Sequence, residues 1–153
     1  MSDKQQENSK ILLVEDNPDD EELTLLAFRN NNIQNCIDVA RDGEEALDYL
    51  FIRGKFSDRN PSSNPRLVIL DLKLPKIVGF EVLRQIRENP MTRHLPVVIL
   101  TTSSHDEDIL NSYRCGANSY IRKPVDFQSF SEAIKHLGMY WLLLNQAPPC
   151  LVR

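Results

Sequence analysis

LVILDLKLP, residues 67–75, is a run of four branched apolar side chains that ends on an acid, Asp71. A run this short and apolar, closed by turn-forming residues, reads as a strand buried on both faces. Asp71 then sits where the strand leaves the core, a place that rejects a charge unless something compensates it. The pattern recurs on either side. KILLVE (10–15) is apolar and runs into the acidic stretch EDNPDDEE (15–22). Ile37–Ala40 is a weaker second strand, PVVILTT (96–102) a fourth and SYIRKP (119–124) a short fifth.

Helical spacing fills the intervals. A helix starts near Pro18, sets Leu23, Leu26 and Ala27 on one face, and ends at the polar run 30–32. In DGEEALDYLF (42–51), Ala46, Leu47, Leu50 and Phe51 share a face. Gly79–Arg87 pairs Phe80 with Leu83 and Val82 with Ile86. HDEDILNSYRCG (105–116) is a fourth helix, with Gly116 suited to cap its end. Asp126 suits the N-cap of a fifth, which runs through Phe127, Phe130, Ile134 and Leu137 toward Trp141. GKFSDRNPSSNPR (54–66), rich in turn formers, is a loop. Strands alternating with helices predict an α/β fold: a doubly wound, five-stranded parallel sheet with five helices on its two faces. The domain spans 10–145, between a flexible N-terminal tail (1–9) and a C-terminal tail (146–153).

The totals agree with one ordinary domain. The chain has 153 residues, 41% hydrophobic and 26% charged, with a net charge of −4. That balance gives no electrostatic reason to bind nucleic acid or an anionic membrane. MSDKQQENSK (1–10) is no signal peptide, and no run approaches a membrane span. Three widely spaced cysteines, Cys36, Cys115 and Cys150, suit a reduced cytoplasmic protein. The three histidines have no ligand spacing with each other or with the cysteines.

An open parallel sheet binds its ligands outside the carboxyl ends of its strands. Glu15 and Asp16 end the first strand, Asp71 the third, Thr101 the fourth and Lys123 the fifth. Each alone has an ordinary reading. Asp71 could be a turn acid, Glu15 and Asp16 could favour a helix dipole, Thr101 could cap a helix, and Lys123 could be a solvated charge. Together they are a carboxylate nucleophile, a hard-oxygen site suited to Mg2+, a lysine and a hydroxyl donor. Those are the parts of phosphoryl transfer to aspartate, with Asp71 attacking and Lys123 steadying the phosphoryl oxygens.

The stretches LLVED (12–16), LVILDLKLP (67–75), VVILTTS (97–103) and SYIRKP (119–124) resemble, in order and spacing, the receiver domain of two-component response regulators. The resemblance covers about residues 10–145 and implies a flavodoxin-like receiver fold. It implies that Asp71 is the phosphoacceptor, that Asp16 and Asp71 hold Mg2+ with the backbone carbonyl of Lys73, and that Glu15 acts through a bound water. Thr101 and Lys123 would contact the phosphoryl group, and Tyr120, otherwise a half-buried strand aromatic, would be the rotamer switch paired with Thr101. A sensor histidine kinase would be the donor. The receiver would catalyse its own phosphorylation and dephosphorylation rather than act as an enzyme on another substrate. The signal would leave through the face made by the fourth helix, fifth strand and fifth helix. The Lys123–Pro124 bond would be cis. The family's acid before the glycine after the third strand is replaced here by Val78, which puts that turn's chemistry in question.

No output domain follows, so docking to other proteins is expected. In HLGMYWLLLN (136–145), Leu137, Trp141 and Leu144 continue the fifth helix's buried stripe, while Met139, Tyr140, Leu142 and Leu143 lie off it. A helix end apolar nearly all round has more than one covered side. Tyr140, Trp141 and Leu144 are therefore expected at an interface, in a homodimer or with an unidentified downstream protein. A fold-back of the tail, or a break at Gly138, would also account for it. The long 54–66 loop, TTSS (101–104) and the late Tyr140–Trp141 pair are similar to the regulators that partner bacterial phytochromes. Other readings fit less well. Two acids after the first strand would repel a flavin phosphate, and Lys73 stands where an aspartyl phosphatase needs an acid. A receiver fold that only binds proteins, without phosphate, is the remaining alternative.

Overall fold

A computed structural model describes residues 10–33 and 37–146. The expected N-terminal tail, Cys36, Cys150 and all but the first residue of the expected C-terminal tail lie outside them. The elements alternate as β1 (Ile11–Val14), α1 (Pro18–Asn30), β2 (Ile37–Ala40), α2 (Gly43–Phe51), β3 (Leu67–Leu70), α3 (Gly79–Glu88), β4 (Val97–Thr101), α4 (Asp106–Arg114), β5 (Ser119–Arg122) and α5 (Phe127–Gly138). The strands form one parallel sheet in the order β2-β1-β3-β4-β5. This is the doubly wound sheet with five helices that the sequence predicts.

Alternation along the strands divides the core in two. Leu12, Val14, Val68, Leu70, Val97 and Ile99 face α2 and α3, meeting Leu47, Leu50, Val82, Leu83 and Ile86. Ile11, Leu13, Leu67, Ile69, Val98 and Leu100 face α1 and α5, meeting Ala27, Phe28, Phe130, Ile134 and Leu137. Helix α4 is the exception: only Ser112 is fully buried on it, while Leu110 and Tyr113 face solvent. The loop before β3 contains two short 3₁₀ turns and is tied down by Arg59. Its guanidinium donates to the carbonyls of Tyr49 (2.9 Å) and Ser63 (3.0 Å) and lies 4.6 Å from the Tyr49 ring centre.

The strands stop one or two residues earlier than their apolar runs suggest. The backbone nevertheless keeps its ladder bonds at the point where side chains turn polar. Glu15 N–H donates to Ala40 (3.0 Å), Asp71 N–H to Val14 (3.2 Å) and Lys123 N–H to Thr101 (2.7 Å). The rim residues are therefore held by the sheet and not by loops.

At its end α5 departs from the expected stripe. After Gly138 the chain continues as a π-helical segment, Met139–Leu144, with Asn145 N–H reaching back five residues to Tyr140. The wider turn carries the buried stripe from Leu137 to Leu142. Leu142 is 7% exposed and Leu144 67%, the reverse of their placement by 3.6-residue spacing. Gly138 sits at the change because a Cβ there would come within 2.3 Å of Ile33 Cδ1. No helix among the described residues is long and apolar enough to cross a membrane.

The turn between β3 and α3, left without its usual acid, is closed by backbone: Gly79 N–H donates to Leu72 (3.1 Å). A Cβ on Gly79 would lie 2.5 Å from the Asp71 carbonyl oxygen and 2.7 Å from Leu72 Cα. Gly79→Ala is expected to lower stability by about 1–3 kcal/mol, the usual range for overpacking against parts that cannot move aside. Urea unfolding followed by circular dichroism measures it.

Candidate functional site

Three strand ends deliver charge to one rim. Glu15 follows β1, Asp71 follows β3 and Lys123 follows β5; all three are buried. The Lys123 ammonium donates to Glu15 Oε2 at 2.7 Å, to Asp71 Oδ2 at 3.2 Å and to Asp20 Oδ2 at 3.2 Å. One cation thus answers three carboxylates. Burial works against the ammonium, but the Glu15 hydrogen bond and the charges of Asp71, Glu15 and Asp20 outweigh it and raise its pKa. Glu15 is raised above the usual carboxylate range by burial, with Asp71 adding repulsion and Lys123 opposing both.

Local structure fixes each member. Asn17 caps α1, accepting from the N–H groups of Asp19 (2.9 Å) and Asp20 (3.1 Å), while its own N–H donates to Glu15 Oε1 (3.2 Å). That cap holds Glu15 in place and puts Asp20 in the first turn, facing the end of β5. The sequence suggests only a helix-dipole role for the acids after Pro18. Asp20's contact with Lys123 depends on α1 lying across the sheet, which periodicity does not give.

On the other side of Asp71, Oδ1 accepts from Lys73 N–H at 3.2 Å, and the Lys73 side chain is exposed. Carboxylate oxygens of Glu15, Asp16 and Asp71 lie within 4.8 Å of one another, with Asp16 open to solvent. Hard oxygen donors converging on a rim with one open side fit a divalent cation that keeps part of its water shell. The structure thus brings together the predicted set of Glu15, Asp16, Asp71 and Lys123.

Thr101 ends β4 fully buried, and its hydroxyl accepts from Ser103 N–H at 3.4 Å. The Tyr120 hydroxyl donates to the Ser103 carbonyl at 2.8 Å, and burial raises its pKa. Thr101 and Tyr120, expected as a pair, therefore meet on one residue of the loop after β4. The Lys123–Pro124 bond is trans, contrary to the cis form the resemblance implies. Trans is the lower-energy form even before proline, and the lysine is aimed by its own ladder bond and ion pairs. A cavity of about 330 Å³ opens beside Lys123, lined by Asp20, Leu23, Pro124, Val125 and Phe127 among others. Trp141 is half-buried against the α1–α5 side, its ring edge-on to Tyr140 at 4.9 Å, and Tyr140 and Leu144 are exposed.

A family model, the response regulator receiver domain, matches residues 11–135. Response regulator Rcp1 of Synechocystis sp. is 34% identical over 93% of this chain and 95% of its own. A protein of Methanothrix harundinacea described as a probable methanogenesis regulatory protein, FilR2, is 41% identical over 90% of this chain and 86% of its own. Among solved structures, the phosphorylated cyanobacterial phytochrome response regulator RcpA superposes with a TM-score of 0.85 at 36% identity, covering 93% of this chain and 99% of its own. The Mn2+-bound form of Rcp1 gives a TM-score of 0.83 at 33% identity, over 92% and 99%.

Removing the ammonium leaves buried carboxylates without a counter-charge. Lys123→Ala is expected to cost about 3–5 kcal/mol at neutral pH with chelator present, as for other broken buried pairs. Burial already holds Glu15 above the usual carboxylate range, and it rises further without the lysine. The folded state then binds a proton more readily than the unfolded one, so part of the loss is recovered as pH falls from neutral into the carboxylate range. Urea midpoints of variant and wild type across pH measure both.

Proposed function

Because the chain belongs to the response regulator receiver family, we propose that it accepts a phosphoryl group on Asp71 from a sensor histidine kinase and signals by reshaping the α4–β5–α5 face. The observation that carries this is the Lys123 ammonium at 3.2 Å from Asp71 Oδ2, beside the carboxylates of Glu15 and Asp16. Asp71 lies at that rim with 8% of its surface exposed. One of its oxygens attacks the phosphorus of a phosphohistidine as the imidazole nitrogen departs. The new phosphoryl group brings negative charge into a low-dielectric rim. Lys123 neutralises part of it, moving from carboxylate to phosphoryl oxygen without leaving its pocket. The Thr101 hydroxyl donates a hydrogen bond to another oxygen.

Asp16, Asp71 and the Lys73 carbonyl would hold Mg2+, with Glu15 acting through water. The ion supplies charge that lets a phosphate approach several carboxylates. Attack by water at the same phosphorus resets the protein. The donor must approach over the same rim, where the cavity beside Lys123 and the fully exposed Val125 form the available surface.

The likeness to RcpA and Rcp1 supports a phytochrome-type kinase as the donor, since the RcpA structure is described as that of a phytochrome response regulator. The exposed Met139, Tyr140, Leu143 and Leu144 beyond the core of α5, with Trp141 half-buried beneath them, support self-association of two copies through this end.

Two outcomes test the reading. Incubation with acetyl phosphate and Mg2+ is expected to add one phosphoryl mass to the wild type. None should be added to Asp71→Asn or without the metal. No addition to a folded wild type, with rapid loss excluded by fast quenching, would leave a phosphate-independent docking module. For the assembly, Tyr140→Glu and Leu144→Glu are expected to convert a dimer to monomer in sedimentation velocity without loss of folding. A wild type that sediments as a monomer with and without phosphate would rule out self-association through this end.

A further inference from the structure

Four hydrogen bonds converge on Ser103, which is 7% exposed. Its N–H donates to Thr101 Oγ1 (3.4 Å), and its carbonyl accepts from the Tyr120 hydroxyl (2.8 Å). Its hydroxyl donates to Asp108 Oδ2 (2.5 Å) and accepts from His105 N–H (3.3 Å). Asp108 belongs to the first turn of α4. That helix has no side-chain cap of its own, because His105 at the N-cap accepts no bond. In a capping box, a Glu or Gln at the third helical position reaches back to the N-cap N–H. Here Asp108 accepts from the Ser103 hydroxyl instead, and Ser103 accepts the N-cap N–H. The start of α4 is therefore tied to the buried loop by Ser103.

We propose, resting on the phosphoacceptor reading above, that Asp108 acts through Ser103 as a positioning residue for Thr101 and ties the start of α4 to the state of Asp71. The argument is geometric. By accepting from Ser103 N–H, the Thr101 oxygen fills a lone pair and keeps its proton free to donate. The loop can present that N–H only while its own place is fixed, and the Asp108 clasp fixes it. Helix α4 buries one residue fully, so little else holds its first turn to the sheet. A displacement of Thr101 toward a phosphoryl oxygen pulls on Ser103, and through its hydroxyl on Asp108. Tyr120, bonded to the same residue's carbonyl, follows the same motion from β5. Asp108 touches no reacting atom.

The test uses the full chain with acetyl phosphate and Mg2+, reading phosphoryl uptake by intact mass and amide exchange across residues 105–112. Ser103→Ala and Asp108→Ala are expected to slow uptake by about tenfold, the effect of losing one hydrogen bond to a charged group. They should also abolish the change in α4 exchange that phosphorylation causes. Ser103→Thr, which keeps the hydroxyl, and Asp108→Asn, which keeps an acceptor oxygen, are expected to restore most of both. The proposal is overturned if the alanine variants match the wild type. It is equally overturned if the conservative variants are as impaired as the alanines, which marks general damage. A wild type that gains no mass defeats the phosphoacceptor reading itself, and the positioning role falls with it. The mass measurement separates that failure from the other two.

Discussion

The ammonium of Lys123, enclosed by carboxylates from two other segments, is the contact on which the rim of the sheet depends. Glu15 and Asp71 are carried there by parallel strands whose register leaves no freedom to spread apart. Two like charges at about 4 Å repel by roughly 4 kcal/mol at an effective dielectric near 20. The sheet can hold them because one cation is shared, with Asp20 adding a contact from the first turn of α1. The arrangement satisfies the resting protein but remains short of positive charge. That deficit fits the rim to a divalent cation.

The two faces of the sheet are unequal. The α1–α5 side is closed by Phe28, Phe130, Ile134 and Leu137, and the α2–α3 side by Leu47, Leu50, Leu83 and Ile86. Helix α4 shares in neither core to the same degree. An element attached by hydrogen bonds at its ends, more than by buried area along its length, can shift with little loss of packing. Helix α4, beside the rim, is therefore the helix that packing holds least.

Much of this was legible in the sequence. The runs around Leu13, Ile69 and Ile99 could only be buried strands, and their polar ends had to share an edge. Asp126 showed its role as an N-cap, and its carboxylate accepts from Ser129 N–H at 2.8 Å. What stayed hidden was non-local or depended on backbone detail. Asp20 meets Lys123 across 103 residues of chain. The bonds that converge on Ser103 could not be read either, since hydrogen bonds through its carbonyl and N–H leave no mark on residue type. Leu142 and Leu144 exchanged places because hydrophobic periodicity presumes a uniform helix, whereas Ile33 and Gly138 meet where the turn widens. The peptide before Pro124 is trans although the family pattern implies cis, a matter of backbone state that residue identity does not determine.

The widened turn after Gly138 also bears on how such a chain diverges. Each residue advances an α-helix by about 100°. Gaining or losing one residue in this turn would rotate everything beyond it while leaving Phe130, Ile134 and Leu137 seated. The outward set of Tyr140, Leu143 and Leu144 can thus be exchanged by a single indel, without a substitution in the core or at the rim. The outward end of α5 and the acidic rim then lie on separately variable parts of one small domain, so lineages can change the first while conserving the second.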